Sequence, residues 1–329
     1  MLLLPTFFPN GALPMNEYSI GIDTSNYTTS LSLVCDGLVV KNVRRLLPVA
    51  EHERGLRQSD ALFYHTKALP ELFSELFCDT DYTGKIKSVG VSTRPRDAEG
   101  SYMPCFLAGI SSAHAIAGSL SVPLYEFSHQ AGHISAAIYS SGIPKELTKE
   151  FISFHVSGGT TDIVLCKMSG ADIQCTRIGG TNDLNAGQAI DRTGVMLGMH
   201  FPCGKELDEL SQKSSCAFGK IKISVKGLDC SLSGLENKTK ALINDGVPSE
   251  DIAAFLFEYL SCALGKLTDN LQEIYGGLPI IFAGGVMSNS RIRTNLAQKE
   301  NVFFASPALS SDNACGTALL AYKKYKEQA

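Results

Sequence analysis

The sequence predicts an α/β fold made of two similar halves with a cleft between them. An apolar strand, a polar turn and a second strand follow one another at residues 18–34, and the same pattern returns at residues 151–165. Each unit opens a long stretch in which strand and helix patterns alternate. A unit that occurs twice in this way indicates an internal duplication.

The first half follows an apolar extension, residues 1–14, which holds three prolines and no basic residue. Such a segment is a poor signal peptide, so we expect it to be disordered or to precede the true start at Met15. Residues 15–145 are predicted to form the first lobe. Their hydrophobic pattern predicts, in order, strands at 18–22 and 28–34, a helix at 59–76, a strand at 86–91, a helix at 106–119 and a strand at 122–126.

The second lobe is predicted at residues 146–309, with a helical insertion at about 185–270. Its pattern predicts the strand pair 151–165, helices at 187–198, 206–213 and 252–275, and a buried strand at 279–283. A last helix, 314–327, closes the chain, and residues 310–329 are assigned to the first lobe.

Duplicated halves that each open on a strand pair describe the actin-like ATPase fold, with RNase H-like halves and a ligand in the cleft. Glycines in the strand pairs and after the strand 279–283 suit a backbone that approaches a phosphate or an adenine closely. An ordinary turn is the alternative for any single glycine pair. All of them in the expected order predict an adenine nucleotide in the cleft.

Two histidines, His129 and His133, stand four residues apart in the run SHQAGHISAA. If this run is helical, both imidazoles project from one face of the helix. Two imidazoles on one face form half of a metal site. The alternative is a coincidence on the surface, because a histidine pair alone is weak support for a metal.

Composition excludes several classes of protein. The chain has 329 residues, of which 44% are hydrophobic and 19% charged, and this is typical of a globular protein with two domains. A net charge of −4 gives no overall basic field for nucleic acid. Ten irregularly spaced cysteines without a CxxC pair indicate free thiols in a reducing cytoplasm. No apolar run is long enough to span a bilayer, so we expect no membrane partner.

Eight motifs in order resemble those of the TsaD-type threonylcarbamoyladenosine synthases, a family formerly regarded as glycoproteases. The resemblance extends from about residue 19 to residue 322. The matching runs are DTSNYTT at 23–29, HQAGH at 129–133, SGGTT at 157–161, DLNAGQAIDR at 183–192, FPCGK at 201–205, DCSLSGLE at 229–236, AGGVMSNS at 283–290 and SSDNACG at 310–316.

The resemblance implies a metal ion held by His129, His133 and Asp312. Two neutral imidazoles and one carboxylate suit iron or zinc. For Asp312 alone, the alternative is a helix N-cap, since it precedes the predicted helix 314–327.

The resemblance also implies that the cleft binds an acyl-adenylate, threonylcarbamoyl-adenylate in the family. The glycines would let the backbone approach the ligand, and Asp191 would hydrogen-bond the ribose. The implied adenylate-binding residues are Ser157, Gly158, Gly159, Gly187, Asp191, Gly204, Gly284, Gly285 and Asn289. An adenosine amine of tRNA would attack the carbamoyl carbon, and AMP would leave. The tRNA would be held by partner subunits or by the lysine-rich region 205–240, for which a solvated face is the alternative.

Departures from the family pattern cluster near the chemistry. Tyr27 and Thr28 replace an acidic pair in the first loop, and Thr160 replaces a histidine. The candidates that remain for catalytic loop positions are Asp23, Ser25, Asn26 and Thr160. Smaller changes are Gln188 for glutamate, Glu236 for lysine and a polar insert at 93–100. Within the insert, Arg94, Arg96 and Asp97 are candidates for recognising a different acyl or phosphate group, and a solvent loop is the alternative.

These departures leave more than one function open. The chain is either a divergent metal-dependent carbamoyl or acyl transferase, or a nucleotide-binding paralogue without turnover. A sugar-kinase-like phosphotransferase with Asp23 near the metal–nucleotide complex is less favoured, because a histidine pair is not expected there. A zinc peptidase is disfavoured too, because HQAGH lacks the glutamate of HExxH.

Overall fold

The chain forms two β-sheets with helices against them, which confirms the predicted α/β class. In this computed structural model the described residues are 16–25, 27–48, 56–78, 82 and 84–329. The predicted extension at 1–14 and the candidate Asn26 lie outside these residues.

The first sheet has five strands in the order β3-β2-β1-β4-β5. They are β1 (Tyr18–Asp23), β2 (Thr28–Cys35), β3 (Leu38–Leu46), β4 (Ile86–Arg94) and β5 (Leu124–Ser128). β1 is antiparallel to β2 and parallel to β4. Helices α1 (Gln58–Phe77) and α2 (Phe106–Leu120) bury apolar side chains against this sheet, among them Leu72 and Ala113.

The second sheet repeats this plan and adds two short strands. Its strands are β6 (Glu150–Val156), β7 (Thr161–Ser169), β8 (Asp172–Thr181), β9 (Val225–Lys226), β10 (Asp229–Cys230), β11 (Ile280–Ala283) and β12 (Val302–Phe304). The order is β12-β11-β6-β7-β8-β10-β9. The series β8-β7-β6-β11-β12 has the order and strand directions of β3-β2-β1-β4-β5, with antiparallel pairs first and parallel pairs after. The predicted duplication is therefore present in the fold.

Four helices lie between β8 and β11 along the chain. They are α4 (Ala186–Met196), α5 (Gly204–Ser211), α6 (Ser233–Asn244) and α7 (Ser249–Tyr275). The 27 residues of α7 carry buried apolar side chains at helical spacing, from Ile252 to Leu271, so this helix supplies much of the second core. It ends at Gly276, which adopts a left-handed conformation with φ 60°. A short helix, α8 (Ser290–Leu296), lies between β11 and β12.

Two helices link the halves and position the site. Helix α3 (His129–Ser141) begins where β5 ends, and the Ser128 side chain accepts a hydrogen bond from the Ala131 N–H at 3.2 Å. Helix α9 (Cys315–Gln328) returns from the end of the chain to pack against β1, β4 and α3. The lobe boundaries near residues 145 and 309 stay a prediction. None of the helices in the described ranges combines the length and apolarity that a membrane crossing requires.

Candidate metal and nucleotide site

Two neighbouring cavities share the loop 157–160, which joins β6 to β7. The first, here called the histidine cavity, has a volume of about 350 Å³ and is lined by His129, His133, Asp312 and the loop 157–160 on its other side. The second, here called the glycine cavity, has a volume of about 490 Å³ and is lined by Gly158, Gly187 and Gly204 among others. The loop is tightly folded, because Ser157 N–H donates to the Thr160 carbonyl at 2.7 Å.

The three predicted metal ligands lie together at the histidine cavity. His133 Nε2 lies 2.9 Å from His129 Nε2 and 3.2 Å from Asp312 Oδ1. His129 Nε2 lies 3.6 Å from the same carboxylate oxygen. This is the group of three potential ligands found among the described residues. The alternative role of Asp312 as an N-cap is wrong, because α9 begins three residues later and Asn313 Oδ1 accepts the Cys315 N–H.

Close packing of α3 on α9 brings these ligands together from distant parts of the chain. A Cβ atom on Gly316 would lie 1.7 Å from the Gly132 carbonyl oxygen, far inside contact distance. The helices therefore touch backbone to backbone at this point. Gly132 lies between the two histidines of α3, and Gly316 lies four residues after Asp312. This close approach of α3 and α9 explains why the Asp312 carboxylate can reach the imidazoles of His129 and His133.

Asp23, at the end of β1, is hydrogen-bonded to His129, the first histidine of the pair. Its carboxylate is 1% exposed and accepts hydrogen bonds from His129 Nδ1 at 2.8 Å, Ser92 Oγ at 2.6 Å and the Ser25 N–H at 2.9 Å. Burial alone would raise the pKa of Asp23, but the charge of His129 and these hydrogen bonds lower it to about 2. Burial likewise opposes the charged form of His129, but Asp23 and Asp312 raise its pKa to about 10.

A third imidazole, His155, lines the same cavity and was not predicted. Its ring centroid lies 5.1 Å from that of His133. Burial, and then the charge of His133 and His129, lower the pKa of His155 to about 3, so the ring is neutral at pH 7. β6 carries this single histidine with no spacing or motif that would mark it as functional.

The residues that follow β1 contribute hydroxyl groups to the lining of the histidine cavity. Ser25 lines it, and so does Thr160 of the loop 157–160. Tyr27 also lines it and is 36% exposed, whereas Thr28 is 4% exposed at the start of β2. Neither residue offers a carboxylate to the cavity.

Most of the predicted nucleotide-binding residues line the glycine cavity: Gly158, Gly187, Asp191, Gly204, Gly285 and Asn289. Ser157 and Gly159 face the histidine cavity instead. Gly284 lines neither of these two cavities. It has a φ of 102° and a Cβ there would lie 2.2 Å from the Val156 carbonyl oxygen, so it serves the junction of β11 with β6.

Two polar side chains of the glycine cavity have capacity left for a ligand. Asn289 caps α8 through Oδ1, at 3.0 Å from the Ile292 N–H, while its buried Nδ2 has no partner among the described residues. Asp191 accepts one hydrogen bond, from the Cys203 N–H at 2.9 Å through Oδ1. Partial burial raises the pKa of Asp191 from its usual value.

The other departures have local partners. Gln188 completes a capping box at the start of α4 by accepting from the Asn185 N–H at 3.2 Å. Glu236 pairs with Arg192 at 2.9 Å. Both residues thus have partners within the second half.

The insert at 93–100 folds onto the start of α3. Arg94 and Asp97 form an ion pair at 2.6 Å, and Asp97 accepts from Ser128 Oγ at 2.7 Å. The Pro95 carbonyl accepts from the Gln130 N–H at 3.0 Å. Pro95 and Arg96 thereby become part of the wall of the histidine cavity.

Comparison with known sequences connects this arrangement to one family. A family model described as tRNA N6-adenosine threonylcarbamoyltransferase, TsaD, matches residues 49–319. A protein of that name from Thermosipho africanus is 30% identical over 322 residues, which cover 94% of each chain. One from Thermus thermophilus is 30% identical and covers 93% of each chain, and one from Bacillus anthracis is 28% identical and covers 95% of this chain and 92% of its own.

Solved structures share the fold at low sequence identity. An activator of 2-hydroxyisocaproyl-CoA dehydratase from Clostridium difficile aligns with a TM-score of 0.53 at 14% identity, covering 94% of this chain and 96% of its own. A ROK family glucokinase from Streptomyces griseus aligns with a TM-score of 0.51 at 11% identity, covering 93% and 99%. These neighbours are actin-like ATPases, so the predicted fold class is confirmed.

Proposed function

The chain belongs to the tRNA N6-adenosine threonylcarbamoyltransferase family, and we propose that it transfers a threonylcarbamoyl group from an adenylate to an adenosine of tRNA. The observation that carries this proposal is the meeting of His129, His133 and Asp312 beside a glycine-lined cavity. We propose that it acts in the cytoplasm.

The three ligands fit a divalent ion, which we propose to be iron or zinc. A tetrahedral ion with bonds of about 2.1 Å holds its ligand atoms about 3.4 Å apart. The separations here, from 2.9 to 3.6 Å, bracket that value. Asp23 holds the other nitrogen of His129 and so fixes which nitrogen faces the ion. A bound ion would supply Lewis-acid stabilisation of charge that develops on the carbamoyl oxygen.

The glycine cavity would hold the AMP portion of the adenylate. The unpartnered Nδ2 of Asn289 and the second carboxylate oxygen of Asp191 offer a donor and an acceptor for the nucleoside. The loop 157–160, which separates the cavities, would present backbone N–H groups to the phosphate. The acyl group would then reach past this loop into the histidine cavity.

The chain's own residues would orient the reaction. The exocyclic amine of adenosine attacks the carbamoyl carbon, the bond from that carbon to the phosphate oxygen breaks, and AMP and one proton leave. Holding both reactants in one cavity lowers the entropic part of the barrier. The neutral ring of His155 lies beside His133 at this cavity, where it can accept a hydrogen bond from a substrate N–H group.

The tRNA would be held with partner subunits of the threonylcarbamoyladenosine system. The net charge of −4 argues against tight binding of tRNA by this chain alone. The exposed lysines of the region 205–240 are the part of this chain that we propose to contact it.

A reconstituted reaction tests the proposal. The purified chain, loaded with Zn²⁺ or Fe²⁺, is incubated with threonylcarbamoyl-adenylate, tRNA and candidate partner subunits, and the nucleosides are analysed by mass spectrometry. We expect threonylcarbamoyladenosine from the wild type and a loss of at least about 100-fold in His133→Ala, because a metal ligand is lost. His114→Ala, which changes an exposed histidine of α2, is the matched control.

A second function, adenylate binding without turnover, is favoured by one observation. Within the described part of the first loop the one carboxylate is Asp23, and it is already engaged by His129, Ser92 and Ser25. No acidic group is left there to accept the proton of the attacking amine. Tight adenylate binding with no modified nucleoside, under every combination of metal and partner, would select this second function.

A further inference from the structure

One cationic side chain at the histidine cavity has no ion-pair partner among the residues that the structure describes. Two carboxylates line the cavity, and both have partners: Asp162 accepts from Arg177 Nε at 2.7 Å, and Asp312 contacts the histidine pair. Arg96 also lines the cavity, and its guanidinium forms no ion pair or hydrogen bond with the described residues. The wall of the cavity therefore carries a positive charge that is free to meet a ligand.

The backbone around Arg96 is fixed although its side chain is not. The Arg96 N–H donates to Ser101 Oγ at 3.2 Å, and the preceding Pro95 carbonyl accepts from Gln130 of α3 at 3.0 Å. Arg94 and Asp97, which flank Pro95 and Arg96 in the sequence, form an ion pair and so hold the two ends of this turn together. These contacts hold the backbone of Arg96 at the cavity, so a ligand would have to order the side chain but not the loop, which reduces the entropic cost of binding.

Ser25 presents a second unmet group to the same cavity. Its side chain is 3% exposed, and its hydroxyl has no hydrogen-bond partner in the described part of the chain. Buried hydroxyls in native proteins nearly always have a partner, so a hydrogen-bonding group from outside the chain is expected here. An arginine and a hydroxyl at one cavity are donors suited to an oxyanion.

We propose that Arg96 binds the carboxylate of the transferred group and that Ser25 donates a second hydrogen bond to the acyl portion. This inference rests on the proposed function, since a threonylcarbamoyl group carries a free carboxylate. It makes Arg96 a specificity residue that would favour acyl groups with a carboxylate over neutral acyl groups. In this arrangement the phosphate of the adenylate would bind at the loop 157–160, and Arg96 would be left for the acyl group. The planar guanidinium can bind a carboxylate through two parallel hydrogen bonds, which lysine cannot do.

Calorimetry with two ligands tests the inference directly. The ligands are a hydrolysis-resistant analogue of threonylcarbamoyl-adenylate and the same molecule with a primary alcohol in place of the carboxylate. We expect wild-type protein to bind the carboxylate form about 10- to 100-fold more tightly, as for hydrogen bonds to a charged group. Arg96→Gln should bind both forms alike, and Arg96→Lys should lie between them. Ser25→Ala should weaken both ligands by a smaller factor.

Controls separate this contact from others. AMP alone should bind wild type and Arg96→Gln equally, whereas weaker AMP binding in the variant would make Arg96 a phosphate contact and overturn the inference. Arg45→Gln removes the same charge from an exposed ion pair with Glu71 and should keep the preference for the carboxylate. An Arg96→Gln variant that binds tRNA less tightly but keeps the preference would overturn the inference as well.

The inference and the proposed function fail in different ways. Wild-type protein that binds both adenylates with equal affinity contradicts the role of Arg96 and leaves the proposed function standing. Wild-type protein that binds neither adenylate contradicts the proposed function and removes the inference with it.

Discussion

Gly204 and Gly187 both line the glycine cavity, but the protein constrains them differently. A Cβ on Gly187 would lie 2.5 Å from the Gly158 Cα, whereas a Cβ on Gly204 would meet one atom, at 3.9 Å. Gly204 therefore leaves space that the chain does not fill. This space is where the proposed nucleotide would approach.

We expect Gly204→Ala to weaken AMP binding by at least about 10-fold, because the added methyl group would occupy space that the ligand needs. The free energy of unfolding should change by less than about 1 kcal/mol, since the position starts α5 and alanine favours helix. Calorimetry and thermal unfolding measure the two effects. Gly187→Ala is the contrast, with both stability and binding reduced by the clash. Unchanged AMP affinity in Gly204→Ala would place the nucleotide elsewhere.

Single residues also mark the limit of prediction from sequence. The four-residue spacing of His129 and His133 indicated half of a metal site, and the resemblance to the family added Asp312. His155 could not, since a lone histidine in an apolar strand has no spacing that marks it as functional. The unmet donor of Ser25 was equally hidden, because whether a hydroxyl has a partner depends on tertiary contacts.

At the scale of elements, Asp183 joins the loop after β8 to the start of α6. Its carboxylate accepts from the Leu232 N–H at 2.9 Å and the Ser233 N–H at 3.1 Å, and from the Ser231 hydroxyl. Partial burial would raise the pKa of Asp183, but these hydrogen bonds outweigh it and hold the pKa well below 3.8. Its charge also lies at the N-terminal end of a helix, where negative charge is favoured.

We expect Asp183→Asn to lower the free energy of unfolding by about 1 kcal/mol at pH 7, a small value because the residue is exposed. A carboxylate whose pKa falls on folding stabilises the protein above its unfolded pKa and loses this effect as pH falls through the folded pKa. The difference between wild type and variant should therefore be constant above about pH 5 and shrink below pH 3.8. Urea unfolding at several pH values measures it. A difference that persists undiminished at pH 2 would exclude the charge as its cause.

Elements with strong periodicity were predicted close to their observed bounds. The helix predicted at 252–275 is α7 (Ser249–Tyr275), and the strand predicted at 279–283 is β11 (Ile280–Ala283). β3, β8, β9, β10, β12, α6 and α8 were not located. β3 buries one residue, Val43, because it is an edge strand, and β12 has three residues. α6 buries two, Leu235 and Thr239, so its hydrophobic stripe is too narrow to recognise.

At the scale of the molecule, the candidate metal site depends on the last helix, α9, which packs against β1 and β4 of the first sheet and against α3. Asp312 lies 179 residues after His133, yet the crossing of α3 and α9 places their ligand atoms 3.2 Å apart. No pattern in the nearby sequence could have predicted that these two residues lie so close together. The duplication could be predicted from the two strand pairs, whereas the closeness of the helices depends on backbone contact between Gly132 and Gly316. The meeting of Asp312 with the two histidines could be predicted only from the resemblance to the family motifs, and not from hydrophobic periodicity.

The same topology makes the proposed ion a cross-link between the middle and the end of the chain. An ion that binds the folded chain and not the unfolded one stabilises it by about 2.7 kcal/mol at 100 times its dissociation constant. For a chain of this size the melting temperature should rise by about 5 °C. We expect this rise with Zn²⁺, or with Fe²⁺ under anaerobic conditions, and its reversal by chelator, all measured by calorimetric unfolding. His133→Ala should lose the rise because it removes a ligand nitrogen, and Asp312→Asn should reduce it because a neutral amide replaces the carboxylate. His114→Ala should keep it. An equal rise in His133→Ala would mean that the ion stabilises another part of the chain, and the cross-link between α3 and the segment before α9 would be wrong.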